Sequence, residues 1–156
     1  MPVLQELDAM SEGRFLALYE ALSEQGFGPL DHEVAKALRF RPQAIRKLPM
    51  DKRARQARRI MLSGKKEDLC YELFGSYLVR TQKELVTGFL DSTGVSHEDG
   101  MIDDIDNSKP DVAKLDEAIA GLDEKFDKDD VTLYLSMCSE QWPDVPELAT
   151  AFTQRA

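Results

Sequence analysis

The densest group of side chains with chemical potential lies in the segment HEDGMIDDIDN, residues 97–107. It contains one histidine and five acids: His97, Glu98, Asp99, Asp103, Asp104 and Asp106. Oxygen ligands of this kind bind hard cations such as calcium. An EF-hand loop is not predicted, because aligning Gly100 with the obligatory glycine puts Val95 at the first ligand position. Zinc is not predicted either, since the chain has only one further histidine, His32.

A structural loop is the simpler interpretation of this acidic segment. Glycine at position 100 permits a turn, and the acids can stay in water. We expect three apolar side chains to anchor the loop to the core: Met101, Ile102 and Ile105. The sequence therefore predicts no metal and no cofactor. A helical enzyme or metal-dependent protein centred on residues 97–106 is kept as the second alternative for the function.

A second concentration of charge has the opposite sign. Residues 39–66 contain eleven lysines and arginines and a single acid, Asp51, although the formal charge of the whole chain is −9. Residues 91–147 are the counterpart, with seventeen acids and four lysines. The basic segment could therefore bind an acidic partner, or it could balance the acids of its own chain.

The basic segment has helical periodicity after Pro49. On a helical wheel, a thin apolar seam is formed by Met50, Ala54, Ala57 and Met61. Lys52, Arg55 and Arg59 lie on the opposite face, and Arg53 and Arg58 flank the seam. Arginine suits bidentate pairing with carboxylate or phosphate better than lysine does.

These residues define the candidate binding site. The polyanion- or partner-binding set comprises Arg39, Arg41, Arg46, Lys47, Lys52, Arg53, Arg55, Arg58 and Arg59. Nucleic acid is the less favoured ligand, because an overall charge of −9 weakens long-range attraction and Phe40 is the only aromatic residue available in the segment for base stacking. Trp142 is a candidate anchor for a partner protein if it is exposed, since tryptophan is enriched at binding hot spots.

No catalytic motif is present: the chain has no P-loop, no G-x-S-x-G and no G-x-G-x-x-G. The leading hypothesis is a non-enzymatic protein-interaction or structural module. Its candidate surfaces are the arginine-rich face of residues 52–59 and the acidic face of residues 98–130. Nucleic-acid or other polyanion binding through residues 39–66 is the first alternative.

The supporting elements are predicted to be helices. Apolar periodicity predicts an all-α domain of about seven or eight helices over residues 1–156, with a loop or subdivision at 94–110. Ser11 is predicted to cap a helix over 11–25 whose apolar face consists of Phe15, Leu18, Tyr19 and Leu22. Thr81 with Glu84 has the spacing of a capping box between two helices, and Gly94 is predicted to end the second of them. A further amphipathic stripe is predicted at Val112, Leu115, Ile119, Leu122 and Phe126. Residues 128–142 are predicted to be a helix, although a strand pattern competes.

Composition also bears on the compartment. No apolar run reaches the length of a membrane span, and the N-terminus lacks the pattern of a secretory signal. Cys70 and Cys138 lie far apart among apolar neighbours, which is typical of reduced core thiols. We therefore expect a cytoplasmic protein that does not bind membranes.

Overall fold

The computed structural model is all-α, which confirms the predicted fold class. It describes residues 2–24, 31–33, 35, 36, 39, 41, 44, 45, 47–104 and 108–155. Four residues used in the predictions lie outside the described part: Phe40, Arg46, Ile105 and Asp106. None of the helices in the described part is long and apolar enough to cross a membrane.

Eight α-helices have bounds within the described residues. They are α1 Pro2–Ala9, α2 Glu12–Glu24, α3 Met50–Ser63, α4 Glu67–Thr81, α5 Lys83–Thr93, α6 Leu115–Lys125, α7 Lys128–Gln141 and α8 Pro146–Arg155. A short antiparallel hairpin, β1 His97–Glu98 and β2 Met101–Ile102, follows α5, and a 3-10 turn, Val112–Lys114, precedes α6. Residues Val3–Leu73 and Phe74–Ala156 form two compact units, and the single-domain organisation stays a prediction.

The first unit is organised by the apolar face of α2. The Ser11 hydroxyl accepts the N–H of Arg14 at 3.1 Å, so Ser11 is the predicted cap. The predicted core face is buried, and it consists of Phe15, Leu18, Tyr19 and Leu22. Helix α1, for which the sequence analysis made no prediction, adds buried Val3 and Leu7 to the same core.

In the second unit, α7 is the most buried helix and confirms the helical prediction for residues 128–142. Because α7 is buried on nearly all sides, apolar residues occur at almost every position. Such a run includes alternating apolar residues, which is why a strand pattern also fitted it. The ring of Tyr134 packs edge-on against Phe89 of α5, with centroids 5.2 Å apart. At the surface, Arg155 of α8 makes two 2.7 Å hydrogen bonds to Asp123 of α6.

The predicted junction of two helices near residue 81 is confirmed, because α4 ends at Thr81 and α5 begins at Lys83. Two other local predictions in this unit are wrong. The residue before α5 is Gln82, which makes no capping bond through its side chain, and the Thr81 hydroxyl instead donates to the Tyr77 carbonyl at 2.6 Å. Val112 was expected on a buried stripe but is exposed. It lies in the 3-10 turn, whose three residues per turn put it out of phase with the α-helix that follows.

The hairpin also corrects the prediction for the acidic loop. Asp99 and Gly100 both have positive φ, 57° and 94°, as the two-residue turn of a tight hairpin requires. Successive residues of a strand face opposite sides, so Met101 and Ile102 cannot both pack inward. Ile102 is half-buried, whereas 77% of the surface of Met101 is exposed, and Met101 therefore does not anchor the loop.

Candidate partner-binding surface on helix α3

Helix α3 carries most of the predicted binding residues that the structure describes. It begins after Pro49, which has an extended conformation (φ −54°, ψ 145°), and it ends at Gly64. Its interior is rich in alanine, arginine and methionine, which are good helix formers. The apolar seam is buried as predicted at Ala54, Ala57 and Met61, so the helix can have only its remaining faces in water.

Arg53 points into the protein rather than into solvent. Its Nη2 atom donates to both carboxylate oxygens of Asp31, at 3.1 and 3.2 Å, and the hydroxyl of Tyr19 donates to the same carboxylate at 2.9 Å. The guanidinium also lies 5.7 Å from the centre of the Tyr19 ring. Only 8% of Arg53 is exposed. Arg53 is therefore part of an internal ion pair and is removed from the candidate binding surface.

The surroundings of this buried cluster raise the pKa values of Arg53 and Tyr19. Burial alone would lower the pKa of Arg53, but the hydrogen bond with Asp31 and the nearby Tyr19 and Asp31 outweigh that effect and raise it. Burial, followed by the neighbouring carboxylate, raises the pKa of Tyr19 to about 12. Tyr19 therefore keeps its proton, and its hydroxyl remains a donor to Asp31 at neutral pH.

Arg58 is also used inside the first unit. Its Nη2 atom donates to the carbonyls of Leu7 at 3.0 Å and Asp8 at 3.1 Å, and also to that of Met10. The last carbonyls of an α-helix have no partner within the helix, and a cation there also interacts favourably with the helix dipole. Arg58 thus caps the C-terminal end of α1 through its Nη2 atom.

Lys52, Arg55 and Arg59 behave differently, because all three are exposed. None of them makes an ion pair or a side-chain hydrogen bond with another residue of the described part of the chain. Their spacing of three and four residues places them along one stripe of α3, which we call the basic stripe. Internal charge compensation therefore accounts for Arg53 but not for the basic stripe.

The remaining predicted basic residues precede α3. Arg39, Arg41 and Lys47 are exposed, and Arg39 has a left-handed backbone with φ 57°. Arg46 lies outside the described residues. Arg39, Arg41 and Lys47 add positive charge to the first unit, and we do not count them as part of the basic stripe.

A groove between α2 and α3 lies next to the basic stripe. Its volume is about 260 Å³, and it is lined by Glu12, Gly13, Phe15, Leu16, Asp51, Ala54, Arg55 and Arg58. Phe15, Leu16 and Ala54 give it apolar walls, and Arg55 belongs both to the groove and to the stripe. Sequence reasoning placed Phe15 in the core and missed the groove, because a groove between two helices depends on how they pack.

Trp142 is not available as a partner anchor. Only 3% of it is exposed, and its indole N–H donates to the carbonyl of Ser108 at 2.8 Å. Tryptophan is amphipathic and is readily buried when its N–H finds an acceptor. Trp142 is therefore a core residue at the C-terminal end of α7, and this correction leaves α3 as the better-supported surface.

The acidic loop has its own internal bonds. His97 Nε2 lies 2.7 Å from a carboxylate oxygen of Asp91, and the Gly100 N–H donates to His97 Nδ1 at 3.0 Å. Nδ1 is thus the acceptor nitrogen, so Nε2 carries the proton and donates it to Asp91. Both ring nitrogens are engaged, which leaves neither to bind a metal or to remove a proton from a substrate.

The acids around His97 are also partly committed. Asp99 forms an ion pair with Lys83, and the Ser96 hydroxyl donates to Asp103 at 2.8 Å. Among the described residues, no three His, Cys, Asp or Glu side chains are placed to hold a metal ion. Both cysteines are buried free thiols, and burial raises the pKa of Cys138 to about 12, which suppresses its thiolate.

Comparison of the chain with protein-family models, curated proteins and solved structures gave no match.

Proposed function

We propose that this protein is a non-enzymatic helical interaction module that binds an acidic protein segment through the basic stripe of α3. One observation supports this proposal. Lys52, Arg55 and Arg59 are exposed, whereas Arg53 and Arg58 of the same helix bond to groups inside the protein. A cytoplasmic location and the absence of a cofactor are parts of the same proposal.

The adjacent groove favours a protein partner over nucleic acid. Binding to a phosphate backbone needs positive charge but no apolar cavity, whereas a peptide can supply carboxylates and an apolar side chain together. At about 260 Å³ the groove is smaller than a typical small-molecule site and suits a single side chain. Arg55, which belongs to both features, would pair with a carboxylate beside that side chain.

The groove also contains acids that restrict how a partner binds. Glu12 and Asp51 lie on its lining together with Arg55. Like charges repel, so the acidic residues of a partner would lie toward Arg55 and Arg59 and away from Glu12 and Asp51. We therefore expect the partner to bind in one orientation.

Fluorescence anisotropy with two labelled peptides tests the proposal. One peptide is glutamate-rich with a central leucine, and the other has glycine in place of the leucine. We expect the wild-type protein to bind the leucine peptide more tightly, with an affinity that falls as salt is raised. We expect the Arg55→Glu/Arg59→Glu variant to lose at least tenfold in affinity for it.

The matched control is Lys114→Glu/Lys125→Glu, which changes the net charge equally at two exposed lysines of the second unit. It should bind the leucine peptide as the wild type does. Equal loss in both variants would mean that only net charge matters and would contradict a specific surface. Labelled duplex and single-stranded nucleic acid are run in parallel. Tighter binding of either than of the peptide, lost in the Arg55→Glu/Arg59→Glu variant, would replace the protein partner with a polyanion.

A further inference from the structure

The second unit displays a group that complements the α3 groove. Met101 projects from the β1–β2 hairpin with 77% of its surface exposed, the most exposed large apolar residue in the described part of the chain. Four acids lie within three residues of it in the chain: Glu98, Asp99, Asp103 and Asp104. Asp99 is paired with Lys83, so the hairpin presents one apolar side chain in an acidic stretch of the chain, with Glu98 directly opposite it.

The first unit is slightly basic and the second unit is strongly acidic. Residues 3–73 contain thirteen basic and eleven acidic residues, whereas residues 74–156 contain seven basic and eighteen acidic residues. Each copy carries a net charge of −9, and two copies would therefore repel each other least when the first unit of one copy faces the second unit of the other. Two acidic second units would repel.

We propose that the α3 groove binds the Met101 hairpin of a second copy of this chain. This inference rests on the proposed function, because it identifies the acidic segment that the basic stripe binds. Met101 would enter the groove between Phe15, Leu16 and Ala54, and methionine adapts readily to an irregular apolar cavity. Glu98, which lies opposite Met101 in the hairpin, would face Arg55 or Arg59.

The geometry of such a contact determines the kind of assembly. The groove and the hairpin are different surfaces, so a single such contact is heterologous rather than isologous. A pair joined by one contact still has a free hairpin on one copy and a free groove on the other. The protein would therefore form rings or open chains that grow with concentration. A single side chain and a few ion pairs make a small interface, so the association should be weak and sensitive to salt.

Two variants that are defective in opposite halves of the contact provide the test. Arg55→Glu/Arg59→Glu removes the groove side, and Met101→Lys removes the hairpin side; all three residues are exposed, so the fold should persist. In sedimentation velocity at low salt, we expect the wild type to grow beyond a dimer. Each variant alone should stay monomeric, and an equimolar mixture should form a one-to-one dimer that grows no further.

Val79→Lys is the matched control, since Val79 is another exposed apolar residue of the second unit. It should associate as the wild type does. A wild type that stays monomeric at every concentration would overturn the inference, and so would a mixture of the two variants that fails to dimerise. Association that persists in either variant alone would also overturn it.

The outcome is separable from that of the proposed function. If the wild type is monomeric but binds the leucine peptide through Arg55 and Arg59, the self-association is wrong and the acidic partner is another protein. If the wild type is monomeric and binds neither peptide, both proposals are wrong.

Discussion

The two faces of helix α3 use the same residue type for opposite purposes. Arg53 turns inward to the carboxylate of Asp31, and Arg58 donates to three backbone carbonyls at the end of α1. Arg55 and Arg59 are exposed to water and have no described acceptor. The four residues lie within seven consecutive positions of one helix. The difference shows that a basic run can hold a structural and a surface group of arginines together, and that only the acceptors around each residue separate them.

The largest expected effect comes from breaking the buried pair. Arg53→Met should lower the free energy of unfolding by about 3–5 kcal/mol, because it leaves the Asp31 carboxylate buried without its cation. Urea denaturation monitored by circular dichroism measures this. The double variant Asp31→Asn/Arg53→Met should recover part of the loss, since a neutral amide costs less to bury. A stability within 1 kcal/mol of wild type for Arg53→Met would show that the pair is not structural.

A smaller loss is expected at Arg58. Arg58→Ala leaves the terminal carbonyls of α1 without their donor, which should cost about 1–3 kcal/mol. The same urea titration checks it, and hydrogen exchange should show earlier opening of α1 than in the wild type. Unchanged protection of α1 would contradict the assignment of Arg58 as its C-terminal cap.

Arg155 gives an intermediate case, because its pair with Asp123 is partly exposed. The hydrogen bonds from Arg155 lower the pKa of Asp123, and burial opposes the shift only partly. Asp123→Asn should cost about 1–2 kcal/mol at neutral pH, a value reduced for solvent screening.

The pH dependence of this effect has a definite sign. A carboxylate whose pKa is lower in the folded state contributes fully above its unfolded pKa of about 4 and loses that contribution as the pH falls through the folded value. The difference in unfolding free energy between wild type and Asp123→Asn should therefore shrink on acidification below about pH 4. A constant difference down to pH 2 would contradict the lowered pKa.

The smallest effect on stability is expected for the outward-facing arginines. Arg55→Ala/Arg59→Ala should change the free energy of unfolding by no more than about 0.5 kcal/mol, since it removes no described contact. Thermal and urea denaturation both measure it. A loss comparable with that of Arg58→Ala would mean that the basic stripe is bound within the protein and would remove the basis for a docking surface.

The helices were largely predictable because their signals are local. The Ser11 cap, the buried face of α2 and the break at Gly94, which has the left-handed φ of 77°, follow from neighbouring residues. The failures at Thr81, Val112 and Met101 share one cause. In each, the residue pattern was compatible with more than one local geometry: the Thr81 hydroxyl bonds back to Tyr77, Val112 lies in a 3-10 turn, and strand alternation turns Met101 outward.

The candidate site was predictable only in outline. Helical periodicity placed Arg53 and Arg58 beside the apolar seam and Arg55 and Arg59 opposite it, which is how they lie. Nothing in the sequence linked Arg53 to Asp31, which lies 22 residues earlier, or Arg58 to carbonyls about 50 residues earlier. The groove beside Arg55 likewise needs α2 and α3 side by side.

The sequence by itself determined the all-α class, the position of α3 and the concentration of positive charge on it, since these depend on propensity and period. Only the tertiary structure decided which arginines bond to groups inside the protein, that Trp142 is buried and that Met101 is exposed. The physical reason is that a side chain's partner is set by what lies near it in space, and packing joins residues that the chain separates.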